Sequence, residues 1–217
     1  LRHILSGWDH LVFLLALVAL ATSLREVAWL ATGFTLGHSL TLALAVLGLA
    51  NPAPLVVEAL IALSIVGLAL ENGWRMDPRS CWLALISLPV LMLLGAVAGV
   101  LPLLVGAGLA LFMLCYVGLL RASGAGFRLR MALTAAFGLF HGFGFAGVLT
   151  GMDLAAGKTV QALLGFNLGV EAGQLLLLVL VWPVLHWMRS QCWPAAEAIT
   201  ATAAGVGIWV YLVRVFG

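Results

Sequence analysis

Residues 27–49 read VAWLATGFTLGHSLTLALAVLGL, a run without one charged side chain, broken only by hydroxyls, glycines and a single histidine, His38. At about 1.5 Å of rise per residue this run makes a helix of roughly 35 Å, enough to cross the hydrocarbon core of a bilayer. It shows no strict period-2 alternation, so a helix fits it better than a strand of a membrane barrel. The rest of the chain is of the same kind. Of its 217 residues 64% are apolar and 8% charged, and the mean hydropathy is +1.19. A soluble domain carries roughly a quarter charged residues, so a water-soluble globule with a polar shell is excluded.

Charges and helix breakers divide the chain into about eight spans, at 3–23, 27–49, 54–72, 81–101, 103–120, 129–150, 159–188 and 195–214. The expected fold is an all-α, polytopic transmembrane bundle forming one domain over 1–217. Merging the fourth and fifth spans would demand about 40 continuous apolar residues in a single crossing, too many for a bilayer. Loops after odd-numbered helices hold Arg25, Arg75, Arg79, Arg121, Arg128, Arg130 and Arg189, against Arg2, Lys158 and Arg214 on the other side. The positive-inside rule therefore predicts both termini on the extracytoplasmic face of a multi-pass protein of the cell (inner) membrane. The chain begins at Leu1 rather than Met, and with an outer N-terminus a removed signal peptide or an upstream extracytoplasmic segment is expected. The net charge of +2 makes no basic patch, so no nucleic acid is expected as a partner. Cys81, Cys115 and Cys192 lack CxxC spacing and are read as reduced, apolar fillers.

Against this background the ionisable residues stand out. An ionisable side chain in hydrocarbon costs several kcal/mol unless paired, hydrated or metal-bound, so each is a candidate for function. The segment His3-Ile-Leu-Ser-Gly-Trp-Asp9-His10 sets its two histidines on one helix face, two turns and roughly 10 Å from each other. That separation suits two successive stations better than one chelate. Asp9 points about 100° from His10 and is free to bind an ion or to orient a histidine of another helix; the plainer alternative is an interfacial capping pair. His38 lies near mid-membrane. His141, in FGLFHGFGF, lies at much the same depth, about three helical turns beyond Arg130. Asn167, Glu171 and Gln174 fall at i, i+4 and i+7 and form one polar stripe on an otherwise apolar helix, able to hold an ion or simply to join helices. Glu58 and Glu71 lie nearer the ends of the third span. The glycines at 138, 142 and 144 and at 165 and 169 read first as close helix contacts.

Imidazole with carboxylate, and no thiolate or Met cluster, suits Ni²⁺ or Co²⁺, with Zn²⁺ or Fe²⁺ as further options, over Cu⁺. The metal set is therefore His3, Asp9, His10, His38, His141 and Glu171, with Glu58, Glu71, Asn167 and Gln174 as a supporting shell. A transported divalent cation is the first reading. A membrane-embedded metalloenzyme, or a metal-delivery or sensor protein with a fixed site, is the alternative. The chain has no HExxH and no GxSxG, which argues against known hydrolases and for a non-enzyme. There is also an internal echo: FTLGH at 34–38 matches FGLFH at 137–141, and Val-Glu follows each at 57–58 and 170–171.

Five segments, HILSGWDHLVFLLAL, FTLGHSLTLALAVLG, VEALIALSIVGLALEN, FGLFHGFGFAGVL and FNLGVEAGQL, together resemble the HupE/UreJ family of hydrogenase and urease accessory membrane proteins, in particular its second branch. They come in the family's order between residues 3 and about 180. The resemblance implies a nickel or cobalt permease, with roles for His3, Asp9, His10, His38, Glu58, Glu71, His141, Asn167 and Glu171, and an association with maturation proteins of nickel enzymes. The chain departs from the family pattern in the extra length between its Glu-Asn and FGLxHG segments, which predicts a helical hairpin inserted at 81–120. The hairpin bears on oligomerisation, a homo-oligomer among the options, and is expected to lie away from the histidines.

Overall fold

The computed structural model describes residues 8–19, 21–77, 79, 81–123, 126–145, 158–191 and 194–217. Among the described residues eight α-helices follow one another, and no strand occurs. They are α1 (Trp8–Ala19), α2 (Leu24–Val46), α3 (Pro54–Met76), α4 (Cys81–Val97), α5 (Leu103–Ser123), α6 (Phe127–Gly144), α7 (Thr159–Ser190) and α8 (Ala195–Phe216). Four of them, α2, α3, α7 and α8, are long and apolar enough to cross a membrane. The molecule is a helical membrane bundle.

Local chemistry sets the helix ends. Ser23 caps α2 by accepting from the Glu26 amide, while Glu26 Oε2 reaches back to the Thr22 amide and hydroxyl. This reciprocal pairing satisfies amides that the first turn leaves open, and it starts α2 ahead of the apolar run. After Val46 the chain turns through Gly48 at φ +72°, a conformation glycine adopts without a Cβ clash. Pro54 opens α3 in the first turn, where its missing N–H costs nothing.

The burial pattern is that of a protein in lipid. On α2, Leu30, Phe34, His38 and Leu42 are buried, while Trp29, Leu36 and Leu40 face outward. The polar and ionisable residues thus turn inward and many large apolar ones outward, the reverse of a soluble helix. Phe13, Leu17, Leu30, Phe34, Ile65, Leu68, Leu133, Phe137 and Tyr211 belong to one continuous core. Its main seams join α2 to α6 and α3 to α8, with α1 packed on α3 and α8, and α7 lying against α2.

The α4–α5 hairpin packs chiefly on α3 and on itself. It lines a small apolar cavity with Leu88, Met92, Leu109 and Phe112 facing Ser64 of α3 and Phe137 of α6. It is nevertheless not wholly separate from the polar interior. Tyr116 of α5 is buried beside Glu71, and the Tyr211 hydroxyl of α8 donates to Leu91 O of α4.

Candidate functional site

The site rests on the α2–α6 seam. A Cβ at Gly37 would collide with Ala135 O, one at Gly138 with Phe34 O, and one at Gly142 with His38 O and Thr41 Oγ1. The two helices therefore touch backbone to backbone and run parallel, as small residues allow in lipid. Gly144 similarly approaches Ile61 of α3. The glycines at 165 and 169 differ: nothing among the described residues lies within 4 Å of a Cβ built there. A small-residue spacing marks a tight seam only where a second backbone arrives, and at these two positions of α7 none does among the described residues.

This seam fixes two histidines, and α1 supplies a third. The His10 ring centroid lies 4.7 Å from that of His141 and 6.2 Å from that of His38, in both cases edge to face. His38 and His141 are fully buried and His10 nearly so. His10 Nδ1 is 2.9 Å from Asp9 Oδ1, which also accepts from the His10 amide. His141 Nδ1 lies 2.9 Å from the Phe137 carbonyl. Oxygens of that kind accept, so both rings carry their proton on Nδ1, and each Nε2 keeps its lone pair. Both Nε2 atoms are buried, with no hydrogen-bond partner among the described residues. Asp9 thus orients its own neighbour rather than a histidine of another helix. A carboxylate on Nδ1 and an open Nε2 is the usual arrangement behind a metal-binding histidine.

Aromatic rings close this layer on both sides. Towards the start of α2, Phe34 and Phe13 lie 4.9 and 5.2 Å from the His141 ring, and Phe137 lies 5.9 Å from Phe13. On the other side Phe145 packs 4.5 Å from His10, and Phe166 of α7 stacks on His38 at 6.2 Å. Among the described residues, no group of three or more His, Cys, Asp or Glu is arranged to hold a metal ion. The imidazoles meet edge to face, and a shared ion would require the rings to turn.

Two turns from Phe137 along the same face of α6 lies a second polar layer. Arg130 Nε is 3.0 Å from Glu71 Oε1 of α3, and Nη1 pairs with Glu26 Oε1 of α2. Arg130 is 2% exposed and Glu71 6%. Nη2 of Arg130 is buried without a partner among the described residues. Beside this trio Asn72 donates to Ala16 O of α1 at 2.6 Å. Arg130 is counted above as a loop charge; it is an interior residue of α6. Glu26 escapes sequence reading because it resembles a capping acid, and it is one, yet its other oxygen faces inward. The signal that could have found Arg130 is its register: it precedes His141 by about three helical turns, on one face.

The remaining candidates lie elsewhere. Glu171 Oε1 accepts from Thr32 Oγ1 at 2.8 Å, and Gln174 Oε1 from Thr35 Oγ1 at 3.1 Å, on the α2–α7 seam. Asn167 Oδ1 is buried without a partner among the described residues. Counted along α2 from Thr32 to His38, Glu171 stands about 9 Å from the histidine layer. Glu58 pairs with Arg214 of α8 at 3.2 Å, with both side chains largely exposed. His3 lies outside the described residues, and His186 is exposed on α7.

A model of the HupE / UreJ protein family matches residues 1–116 and 88–215, which together take in almost the whole chain. No curated protein and no solved structure matches it.

Proposed function

The chain belongs to the HupE / UreJ family, and on that premise we propose that it carries a divalent transition-metal ion, nickel or cobalt, across the membrane. The observation that carries this reading is the meeting of His10, His38 and His141 between two aromatic layers, with the Nε2 lone pairs of His10 and His141 left open. Buried polar atoms are nearly always paired; two unpaired imidazole nitrogens side by side are what a soft-to-borderline cation would satisfy. In this reading the histidine end faces outward, both termini lie outside, and the protein spans the inner membrane several times. His3 and Asp9 form the entrance, with Asp9 positioning His10.

A resident catalytic metal is the weaker alternative. It needs about three protein donors held at bonding distance with an open position for water. The edge-to-face packing of these rings fits a cargo ion that reshapes its site on arrival better than a fixed centre. Delivery to nickel-enzyme maturation proteins and association of copies are compatible with the same path.

The test is uptake of Co²⁺ or Ni²⁺ into proteoliposomes, together with equilibrium binding to the purified protein. His10→Ala, His38→Ala and His141→Ala should each abolish tight binding and uptake while leaving folded protein in the membrane. Ligands of one site act as a unit, so the His38→Ala/His141→Ala double variant should be little worse than either single. Retained binding in each single variant, lost only in the double, would indicate two separate stations instead.

A further inference from the structure

The metal path reaches an obstacle two turns beyond the aromatic layer. His141, Phe137 and Arg130 lie on one face of α6, and His38, Phe34 and Glu26 follow the same descent on α2. An ion leaving the histidines in that direction therefore meets a guanidinium held by two carboxylates from two other helices. Like charges in a poorly polarisable interior repel strongly, so a divalent cation cannot pass Arg130 where it stands. The carboxylates that hold Arg130 are, however, hard oxygen donors. Glu26 and Glu71 carry two negative charges, met by Arg130 between them and by the more exposed Arg75 beside them. A divalent ion in the place of Arg130 would bring two charges where the guanidinium brings one. The guanidinium is also incompletely satisfied: Nη2, in a side chain 3% exposed, has no acceptor among the described residues, although guanidinium ordinarily uses its donors in full when buried.

We propose that Glu26 and Glu71 form a second, inner cation station, and that Arg130 occupies it as a tethered counter-ion which the travelling divalent ion must displace. The proposal rests on the transport reading above. It gives the path a closure that opens only to a cation able to outcompete a guanidinium for two carboxylates, and so discriminates divalent from monovalent ions. Tyr116 of the hairpin, buried beside Glu71, would then touch the inner station.

The experiment uses the full chain, purified in detergent, with Co²⁺ as the probe. His10→Ala alone should lose tight Co²⁺ binding; if it does not, the outer-site reading fails, whatever happens at the inner end. Arg130→Gln is then added to His10→Ala. The double variant should take up one equivalent of Co²⁺ that His10→Ala does not, and its thermal midpoint should rise with Co²⁺ but not with K⁺ at equal ionic strength. Adding Glu71→Gln should remove both effects. Should Arg130→Gln not accumulate folded, Arg130→Lys is measured in the same way, because an ammonium cannot grip both carboxylates in the planar fork that guanidinium uses. No extra equivalent and no Co²⁺-dependent midpoint in the variant that folds overturns the proposal and leaves the trio a clamp between α2, α3 and α6.

Discussion

Helix α2 makes two seams of opposite character. Against α6 it lies backbone on backbone, with Gly37, Gly138 and Gly142 removing every atom that could keep the helices apart. Against α7 it meets side chain to side chain, through Thr32 with Glu171 and Thr35 with Gln174. The first seam has no freedom: His38 and His141 are carried on backbones whose separation is fixed by contact. The second seam is built from rotatable groups that can exchange partners without moving a helix. Precision at the histidines and adaptability at the carboxylate are thus properties of two different interfaces, and α2 belongs to both.

The rigid seam should fail most severely. Gly138→Val or Gly142→Val drives a branched side chain into a carbonyl of α2. Overpacking costs about 1–3 kcal/mol even where side chains can yield, and a backbone cannot. Loss of folded protein, or a thermal midpoint lowered by many degrees together with lost metal binding, is the expected result. Gly165→Ala and Gly169→Ala are the matched controls. They meet no neighbour among the described residues and replace glycine in a helix, so they should be neutral or stabilise by up to about 1 kcal/mol. Equal sensitivity at all four positions would erase the contrast between the seams.

Next in size is the loss of an orientation. Asp9→Asn keeps a hydrogen bond to the His10 ring but loses the charge, and allows the amide to present its N–H, favouring the other tautomer. Removing such a partner typically weakens metal affinity about 10–100-fold, so Co²⁺ affinity should fall in that range while the thermal midpoint hardly moves. An unchanged affinity would return Asp9 to a capping role. Acidification should act in the same direction on the unmodified protein. A ligating imidazole must be neutral, and its ordinary pKa is about 6.5; binding is therefore expected to be full above that pH and to be lost as pH falls through it. Affinity that stays level from about pH 5 to 8 would point to carboxylate binding.

How much of this could be read from the chain follows from what each residue must do. The helices were legible because lipid demands long apolar runs, and among the described residues each of the eight expected spans contains a helix. The start of the first span and the end of the sixth lie outside the described residues, and α2 is shifted by a few residues where capping acts, with Ser23 and Glu26 at its start and Gly48 beyond its end. His10, His38 and His141 were legible as candidates because a histidine among apolar residues has no cheap explanation. Their separation in space was not, since it depends on how closely α2 and α6 approach. Arg130 and Glu26 were missed for another reason. Charges near helix ends are expected on average at the membrane surface, and only the fold reveals that these two point inward at Glu71. Glu171 was legible as unusual, but its partner Thr32 belongs to a helix far away in the chain, and no local pattern names it.

The smallest expected effect is also the sharpest on the soft seam. Glu171→Gln keeps the length and an acceptor for Thr32 Oγ1 while removing any charge. If Glu171 serves only to join α7 to α2, the change exchanges one hydrogen bond for a similar one, worth about 0.5–1.5 kcal/mol at most, and Co²⁺ affinity and uptake should change less than about threefold. Its position about 9 Å along α2 from the histidine layer favours this outcome. If the carboxylate instead swings from Thr32 to an ion bound near His38, uptake should drop far more than the midpoint, and Thr32→Val should not reproduce the loss, since Thr32 would only have parked the acid. Measuring uptake and thermal midpoint for Glu171→Gln and Thr32→Val side by side separates a helix joint from a movable ligand. Parallel small losses in both variants would make the α2–α7 seam a joint that yields, and would leave metal recognition to the rigid seam with α6 and to His10 of α1.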